Sequence, residues 1–545
     1  MITNKYISKR IMSLFIIISL FIFSIFLAVL LEEDNNNKSD MKIENKFIQK
    51  PNSNINTDNS INNSFKSHLP IIVIDTYGEN IKADMLWDDE KKYFVPINDD
   101  PYIEGNITLI DNENNINSVK DIPKLESKIK IRLRGNTSIN YDKKQYFIKL
   151  INDDGSENKQ DIFGMGEEYE WILNISYIDK SLIRNYLALS LSSMIMENVP
   201  EARYCEVIIK NKDNLEYKGL YLLMESIKRG DNRLSISKYD NKFTASSYIL
   251  RRDRLDETGV TLNNYGTINK LTPEYLEVKY PYKKDLTEET LEYITNDIDN
   301  FEKALFSSNE KEFYKYSGYI DVESFIDYFI INELFSNYDS GYHSTYIYKE
   351  AYGKLKMGPV WDFDSAFDNY KKQQQKIDST AMHDAPWFKE LLKDPEFTRK
   401  LIERYNLLRK DILNNDNIIN YIDEITEYLG PAIDRDWKVW GDFYTSEYLS
   451  EYVIDGEIKD RNTKSYDEEI NKIKDNIINH GKWLDEDIDS LYQFATFTKD
   501  YSIWNELGYF EKTILGNNKE TFVKNILAII YIFIFIASIV YISRE

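Results

Sequence analysis

The stretch GPVWDFDSAFD, Gly358–Asp368, sets Asp362, Asp364 and Asp368 among aromatic residues directly after an apolar run. Either a sheet stops there and the acids are solvated, or they hold a cation. The residues upstream bear on the choice. STYIYKE (344–350), the turn AYG and KLKMGPVW (354–361) read as a two-stranded ribbon. Tyr346 and Tyr348 share one face of the first strand and Ile347 takes the other. Gly353 marks the turn. A turn centred near Tyr352 sets Ser344 opposite Val360 and Tyr342 opposite Asp362. Hairpin ends lie side by side, about 5 Å apart. Asp339, in the loop before the ribbon, and Asp362, just after it, are therefore expected close together. Two acids meeting there repel unless a cation neutralises them or one is protonated. Oxygen ligands alone favour Mg²⁺, Mn²⁺ or Ca²⁺ over zinc.

The rest of the chain narrows the setting. Its 545 residues suffice for a two-lobed core of roughly 300–400 residues. A net charge of −23 argues against nucleic acid and against a basic membrane-binding patch. A single cysteine, Cys205, excludes an internal disulfide framework and a Cys-rich zinc site. Residues 11–31 are apolar for long enough to span a bilayer, with Lys5, Lys9 and Arg10 before them and Glu32, Glu33 and Asp34 after. This asymmetry puts residues 1–10 in the cytoplasm. A cleaved signal peptide is the rival, but no A-x-A-like cleavage site follows. Residues 523–543 form a second candidate span. The expected location is a two-pass cell-membrane protein with its body on the outer face, in a spore envelope if the cell forms spores.

Residues 32–66, rich in Asn, Ser and Lys, read as a flexible tether. Beyond them, LPIIVIDT, KIKIRLRG (128–135) and QYFIKLI (145–151) read as strands, the last two as a hairpin with a long loop. Lys180–Met196 reads as a helix with Asp179 at its N-cap. YCEVIIK and GLYLLME are two strands joined by NKDNLEY, and SSYILRRD is another. From Thr287 the pattern turns helical, with late helical blocks at Pro395–Leu429 and Asp467–Asn479. The expected class is α+β: a β-rich N-terminal lobe, 67–285, and a mostly helical C-terminal lobe, 286–515. A cleft between lobes is the ordinary place for a ligand.

The ribbon's layout has a known use. In protein kinases a catalytic-loop Asp is followed five positions later by a metal-binding Asn, then a short hairpin, then a metal-binding Asp. Here Asp339 and Asp362 take the outer roles, and Ser344 stands where the Asn belongs. In order, IRLRGNTS, KKQYFIKL, WILNISYIDKSLIRNYLA, YKGLYLLMESIKRGDNRL, NELFSNYDSGYHSTYIY, GPVWDFDSAF and PWFKELLKDPEF span most of the body. Together they resemble the spore-coat protein H (CotH) kinases, atypical and distantly kinase-like proteins. The resemblance implies a two-lobed atypical kinase-like fold and ATP-dependent phosphorylation of protein Ser or Thr with Mg²⁺ or Mn²⁺. It implies Asp339 as the catalytic-loop aspartate and Asp362 as a metal ligand, with Asp364 completing W-D-F-D and Ser344 a weaker ligand than Asn. It also implies Lys149, or Lys144, as the lysine gripping phosphate, with Glu225 as that lysine's partner. The protein substrate would be a spore-coat or cell-surface protein.

Each residue has a plainer reading. Asp339 lies in a turn sequence and could simply cap it. Arg134, Gly135 and Asn136 form a tight turn that lies over phosphates or merely closes a loop. Asp368 reads as surface, His343 as loop-ordering, and Trp361 and Phe363 as core anchors. Trp171, Asp179 and Arg184 read as a buried ring, a cap and an ion pair, and Cys205 as inert. The competing function is a catalytically dead structural or adhesive surface protein. Ser344 and the scarcity of ATP outside cells favour it, while Asp339, Asp362 and Lys149 favour the kinase.

Overall fold

Alternating residues turn the first half of the body into a barrel. The computed structural model describes residues 65–112, 116–212, 214–254, 256–369, 376–446 and 462–496, with the backbone of two short strands between 452 and 459. These residues fall within one compact unit. Seven strands close the barrel: β1 (Ile71–Asp75), β2 (Ile103–Ile110), β3 (Leu125–Leu133), β4 (Tyr146–Ile151), β5 (Glu170–Ile175), β6 (Ala202–Asn211) and β7 (Asn214–Glu225). Their order is β5-β7-β6-β1-β2-β3-β4, and β4 returns to β5. All pairs are antiparallel except β1 with β6. Closure leaves no free edge. Ile129 and Ile131 of β3 and Ile148 and Leu150 of β4 fill the interior with Leu173, Val207 and Leu223. Lys130, Arg132, Phe147 and Lys149, at the alternate positions, are half-buried on the outer wall. The expected β3–β4 hairpin is present, with Lys130 opposite Lys149. The β6–β7 turn is tighter than the sequence reading, with Asn211 already opposite Asn214.

A second sheet has the spatial strand order β9-β8-β10-β11: Tyr275–Tyr280, Tyr248–Asp253, Thr345–Lys349 and Leu355–Met357. Two of its strands come from each side of residue 285. The helices that follow obey their caps. Thr287, Asp321, Asp394 and Ser465 accept first-turn backbone N–H groups at the starts of Glu288–Leu305, Val322–Leu334, Pro395–Arg409 and Tyr466–Asp487. The block expected over 395–429 is two helices, the second being Asn415–Leu429.

The helix expected over Lys180–Met196 is shorter, α1 (Arg184–Ser193). Asp179 serves as more than an N-cap. It accepts from the backbone N–H of Ser181 (3.1 Å) and Arg184 (3.0 Å), and Leu182 takes a left-handed turn at φ 65°. Residues 180–183 are thereby a folded turn rather than helix.

The late helix Pro431–Tyr444 sits on β7. Its Asp436 is fully buried, pairs with Lys143 at 2.6 Å and accepts from the backbone N–H of Leu220 at 2.7 Å. Gly219 permits this approach: φ is +111°, and a Cβ there would collide with the Asp436 carboxylate. The membrane spans expected at 11–31 and 523–543, and the tether, lie outside the described residues apart from the tether's end at Phe65 and Lys66. Among the described residues no helix is long and apolar enough to cross a membrane.

Candidate active site

The ribbon pairs Ile347 with Met357, Tyr348 with Lys356 and Lys349 with Leu355. That register, carried outward, sets Ser344 against Val360 as the sequence arithmetic expects. Ser344 Oγ donates to Asp362 Oδ2 at 3.2 Å. Asn337 Nδ2 donates to the Asp362 carbonyl, also at 3.2 Å. The loop that carries Asp339 is thus fastened at both ends to Asp362. Inside that loop the Asp339 carbonyl accepts from the backbone N–H groups of Tyr342 (3.2 Å) and His343 (2.8 Å).

Asp362 has protein crowded around it yet keeps exposed surface, which places it in a recess. Its carboxyl is pushed up from the ordinary range. Burial is the main cause, Asp253 adds to it, and Ser344 and Arg134 oppose it. Asp364 is pushed well up, first by burial and then by Asp362 itself, against Arg184 and Asn185. Two neighbouring carboxyls that both resist ionisation are the situation a cation relieves. Among the described residues no group of three or more His, Cys, Asp or Glu could hold a metal. A Mg²⁺ ion asks less of the protein, since one or two carboxylates suffice when phosphate and water supply the other ligands.

The backbone here is strained. Ser336, Ser344, Asp362, Phe367 and Asp368 all have φ between 49° and 63°. Each such non-glycine residue costs about 1–3 kcal/mol, and persists only where its surroundings enforce it. The enforcement is visible. Asn185 of α1 accepts from the Phe363 N–H at 2.7 Å and donates to the Asp364 carboxylate. Arg184, wholly buried, donates to the carbonyls of Ala366 (2.9 Å) and Phe367 (3.3 Å) while paired to Asp179 and Glu469. Trp361 and Phe363 are core anchors, 8% and 0% exposed.

The basic residues divide. Arg134 stacks on Trp361, its guanidinium carbon 5.2 Å from the ring centre, and Nη1 donates to Gln145 at 2.9 Å. It joins Ser344, Asp362 and Asp364 at the recess. Lys149 lies along the same outer wall, over Tyr102 and paired with Glu170 at 3.1 Å. Burial alone would lower its ammonium, but Glu170 and Tyr102 outweigh it and the net shift is upward. Lys144 donates to the Ile139 carbonyl at 2.8 Å and closes the 137–140 turn.

The expected partnership of Lys149 with Glu225 is not formed. Glu225 pairs with Arg233 at 2.5 Å. Register is the reason: Lys149 stands opposite Glu170, whereas Glu225 stands opposite Trp171, one residue on and so on the other face.

Sequence reasoning missed Asp253, Asn185 and Glu170. Asp253 ends β8, and the β8–β10 register sets it across from Ser344. Its only signal was an acid closing the apolar run SSYILRRD.

A family model described as CotH kinase protein matches residues 131–484. The chain belongs to the CotH kinase family. The CotH match starts within β3 and ends in the helix Tyr466–Asp487, so it takes in the whole recess. No curated protein matches the chain.

Proposed function

We propose that this CotH domain transfers the γ-phosphoryl group of ATP to a Ser or Thr hydroxyl of a protein, with a divalent metal. The observation that carries this reading is the meeting of Arg134, Ser344, Asp362 and Asp364 in one recess closed by the Asp339 loop. Phosphoryl transfer needs positioning and charge neutralisation more than covalent help from the protein. Mg²⁺ or Mn²⁺ held by Asp362 and Asp364, with Ser344 at the side, would offset phosphate charge. Arg134 binds a phosphate oxygen, and Lys149 joins it on exchanging Glu170 for the nucleotide. Asp339 orients the acceptor hydroxyl and takes its proton as the new O–P bond forms and ADP leaves. With the spans at 11–31 and 523–543, the domain works tethered to a membrane, on a surface or spore-coat protein.

One observation favours the second reading, a structural surface protein without activity. The Ser344 hydroxyl already occupies an Asp362 oxygen where the family pattern expects an amide. Incubating the full chain in detergent with γ-labelled ATP and Mg²⁺ or Mn²⁺ separates the two. Label on acceptor protein with wild type, and none with Asp339→Ala, supports transfer. No label with wild type, under either metal, supports the structural role.

A further inference from the structure

The helix Val322–Leu334 leads into the Asp339 loop, and residues 377–385 lie against that loop. Tyr338 Oη and Ser379 Oγ share a hydrogen bond at 3.1 Å, and Tyr342 Oη donates to the Asp384 carbonyl at 2.9 Å. A Cβ on Gly341 would stand only 2.7 Å from Ala385 Cβ. The segment is therefore fixed to the loop on both sides of Asp339.

Beneath it sit a buried acid and a buried histidine. Glu333, 1% exposed, accepts from the backbone N–H of Ala381 at both carboxyl oxygens (2.9 and 3.0 Å) and from that of Met382 at 2.8 Å. His480, of the helix Tyr466–Asp487, is also 1% exposed. Its Nδ1 stands 2.8 Å from the Ile377 carbonyl and its Nε2 3.0 Å from the Glu333 carbonyl. Nε2 is 3.8 Å from Glu333 Oε1. Carbonyl oxygens only accept. A neutral imidazole has one N–H, so one of the two contacts would set lone pair against lone pair, whereas an imidazolium donates to both. Glu333 shows the complementary pattern: all three hydrogen bonds to its carboxyl are accepted, as by a carboxylate.

Taken singly, each charge is disfavoured. Burial pushes Glu333 up to about 7, against the N–H groups of Met382 and Ala381, and lowers His480, against its two carbonyl contacts. Together the opposite charges offset each other, and the pair binds one proton whose seat the hydrogen bonds decide. The other groups acting on the pair are Arg409, matched by Asp485 at 2.8 Å, with Asp384 on the segment and Tyr338 on the loop.

We propose that Glu333 and His480 are positioning residues for the acceptor hydroxyl: one proton seated on the His480 ring latches segment 377–382 beside the Asp339 loop, and its loss as pH rises loosens that segment. The positioning role rests on the reading of Asp339 as the residue that orients the acceptor. The latch itself does not, so it is tested without any transfer assay.

The test is backbone hydrogen exchange of the full chain in detergent, read by mass spectrometry at about pH 6 and about pH 8.5 and corrected for the intrinsic rate. Protection of Ala381 and Met382 is expected to fall about tenfold between the two, the scale of one hydrogen bond to a charged group. His480→Gln has no titrating ring, and its protection is expected to be low at both. Unchanged protection in the wild type, or an equal fall in the variant, overturns the proposal. Should the variant fail to fold, spectra of the wild type labelled with ¹⁵N-histidine decide. The chain has four histidines, and His480 is assigned by replacing the other three in turn. Its ring is expected to carry two protons at about pH 6 and one at about pH 8.5; a ring that does not change overturns the proposal. Positioning is read from transfer to dephosphorylated casein. KM for casein should rise with pH in the wild type and stay high in His480→Gln, with KM for ATP alike in the two proteins at each pH. A casein KM flat across pH in the wild type overturns the positioning role. Absence of transfer at any pH removes the phosphoryl-transfer reading and the positioning role with it, while exchange still decides the latch.

Discussion

Two charged clusters touch the WDFD segment, and they are built to opposite rules. Behind it, Arg184 is matched by Asp179 and Glu469, all buried. Burial alone would lower the Arg184 guanidinium, but Glu469 and Asp179 hold it up. Burial alone would raise Glu469, but Arg184 brings it down to about 2. In front, Asp362 and Asp364 are both pushed up, mainly by burial, with Ser344 and Arg134 opposing this at Asp362 and Arg184 and Asn185 opposing it at Asp364. The first cluster neutralises itself and belongs to the architecture. The second is left wanting positive charge, on a strained backbone that the first one holds.

The contrast breaks most visibly in stability. Arg184→Met should destabilise the protein by about 3–5 kcal/mol, because it strands two buried carboxylates. A denaturant midpoint well below that of wild type checks this. Asp362→Asn should do the reverse: stability holds or rises, since one of two repelling acids is gone, while phosphoryl transfer falls roughly 10²–10³-fold, the scale of losing one preorganised electrostatic contact. A variant that lost stability and activity together would make the two clusters alike.

Most of the ribbon was legible in the sequence. Gly353 set the turn, and counting from a centre near Tyr352 gives the 347–357, 348–356 and 349–355 pairs that the ribbon makes. Strands with one wet face, such as KIKIRLRG, were legible for the same reason: alternation is local. Barrel closure was not, because it depends on β1 meeting β6 more than a hundred residues later. The Lys149–Glu225 error has the same origin. Which face a strand residue takes depends on a register fixed by distant partners. Asp253 was hidden because it reaches the recess across a sheet rather than along a motif.

Acidity should separate the clusters next. Asp362 and Asp364 have raised folded values, so with no divalent ion they weaken the fold at neutral pH, and protonation relieves this as pH falls. Glu225 and Glu333, each raised to about 7 mainly by burial, act in the same direction. Glu469 is depressed: its contribution is present above the ordinary carboxylate range and lost as pH falls towards about 2. Stability should therefore climb from pH 7.5 towards 5, then drop in stronger acid. Asp362→Asn should remove part of the climb and none of the drop, as thermal melts across pH would record.

The smallest effects concern the two cations on the outer wall. Arg134→Lys loses planar stacking on Trp361 and should raise KM for ATP about tenfold, from a contact worth roughly 1–2 kcal/mol. Lys149→Met should change it by about threefold or less, because Glu170 competes with phosphate for that lysine. Steady-state kinetics at varied ATP ranks them.

The central claim is that the recess wants a metal-bound nucleotide, and ligand-induced stabilisation tests it most directly. A ligand that binds only the folded state raises its melting temperature. ATP with Mg²⁺ should raise that of the wild-type chain, and do so much less for Asp362→Asn. Equal shifts in both proteins, or no shift in the wild type, would contradict the account.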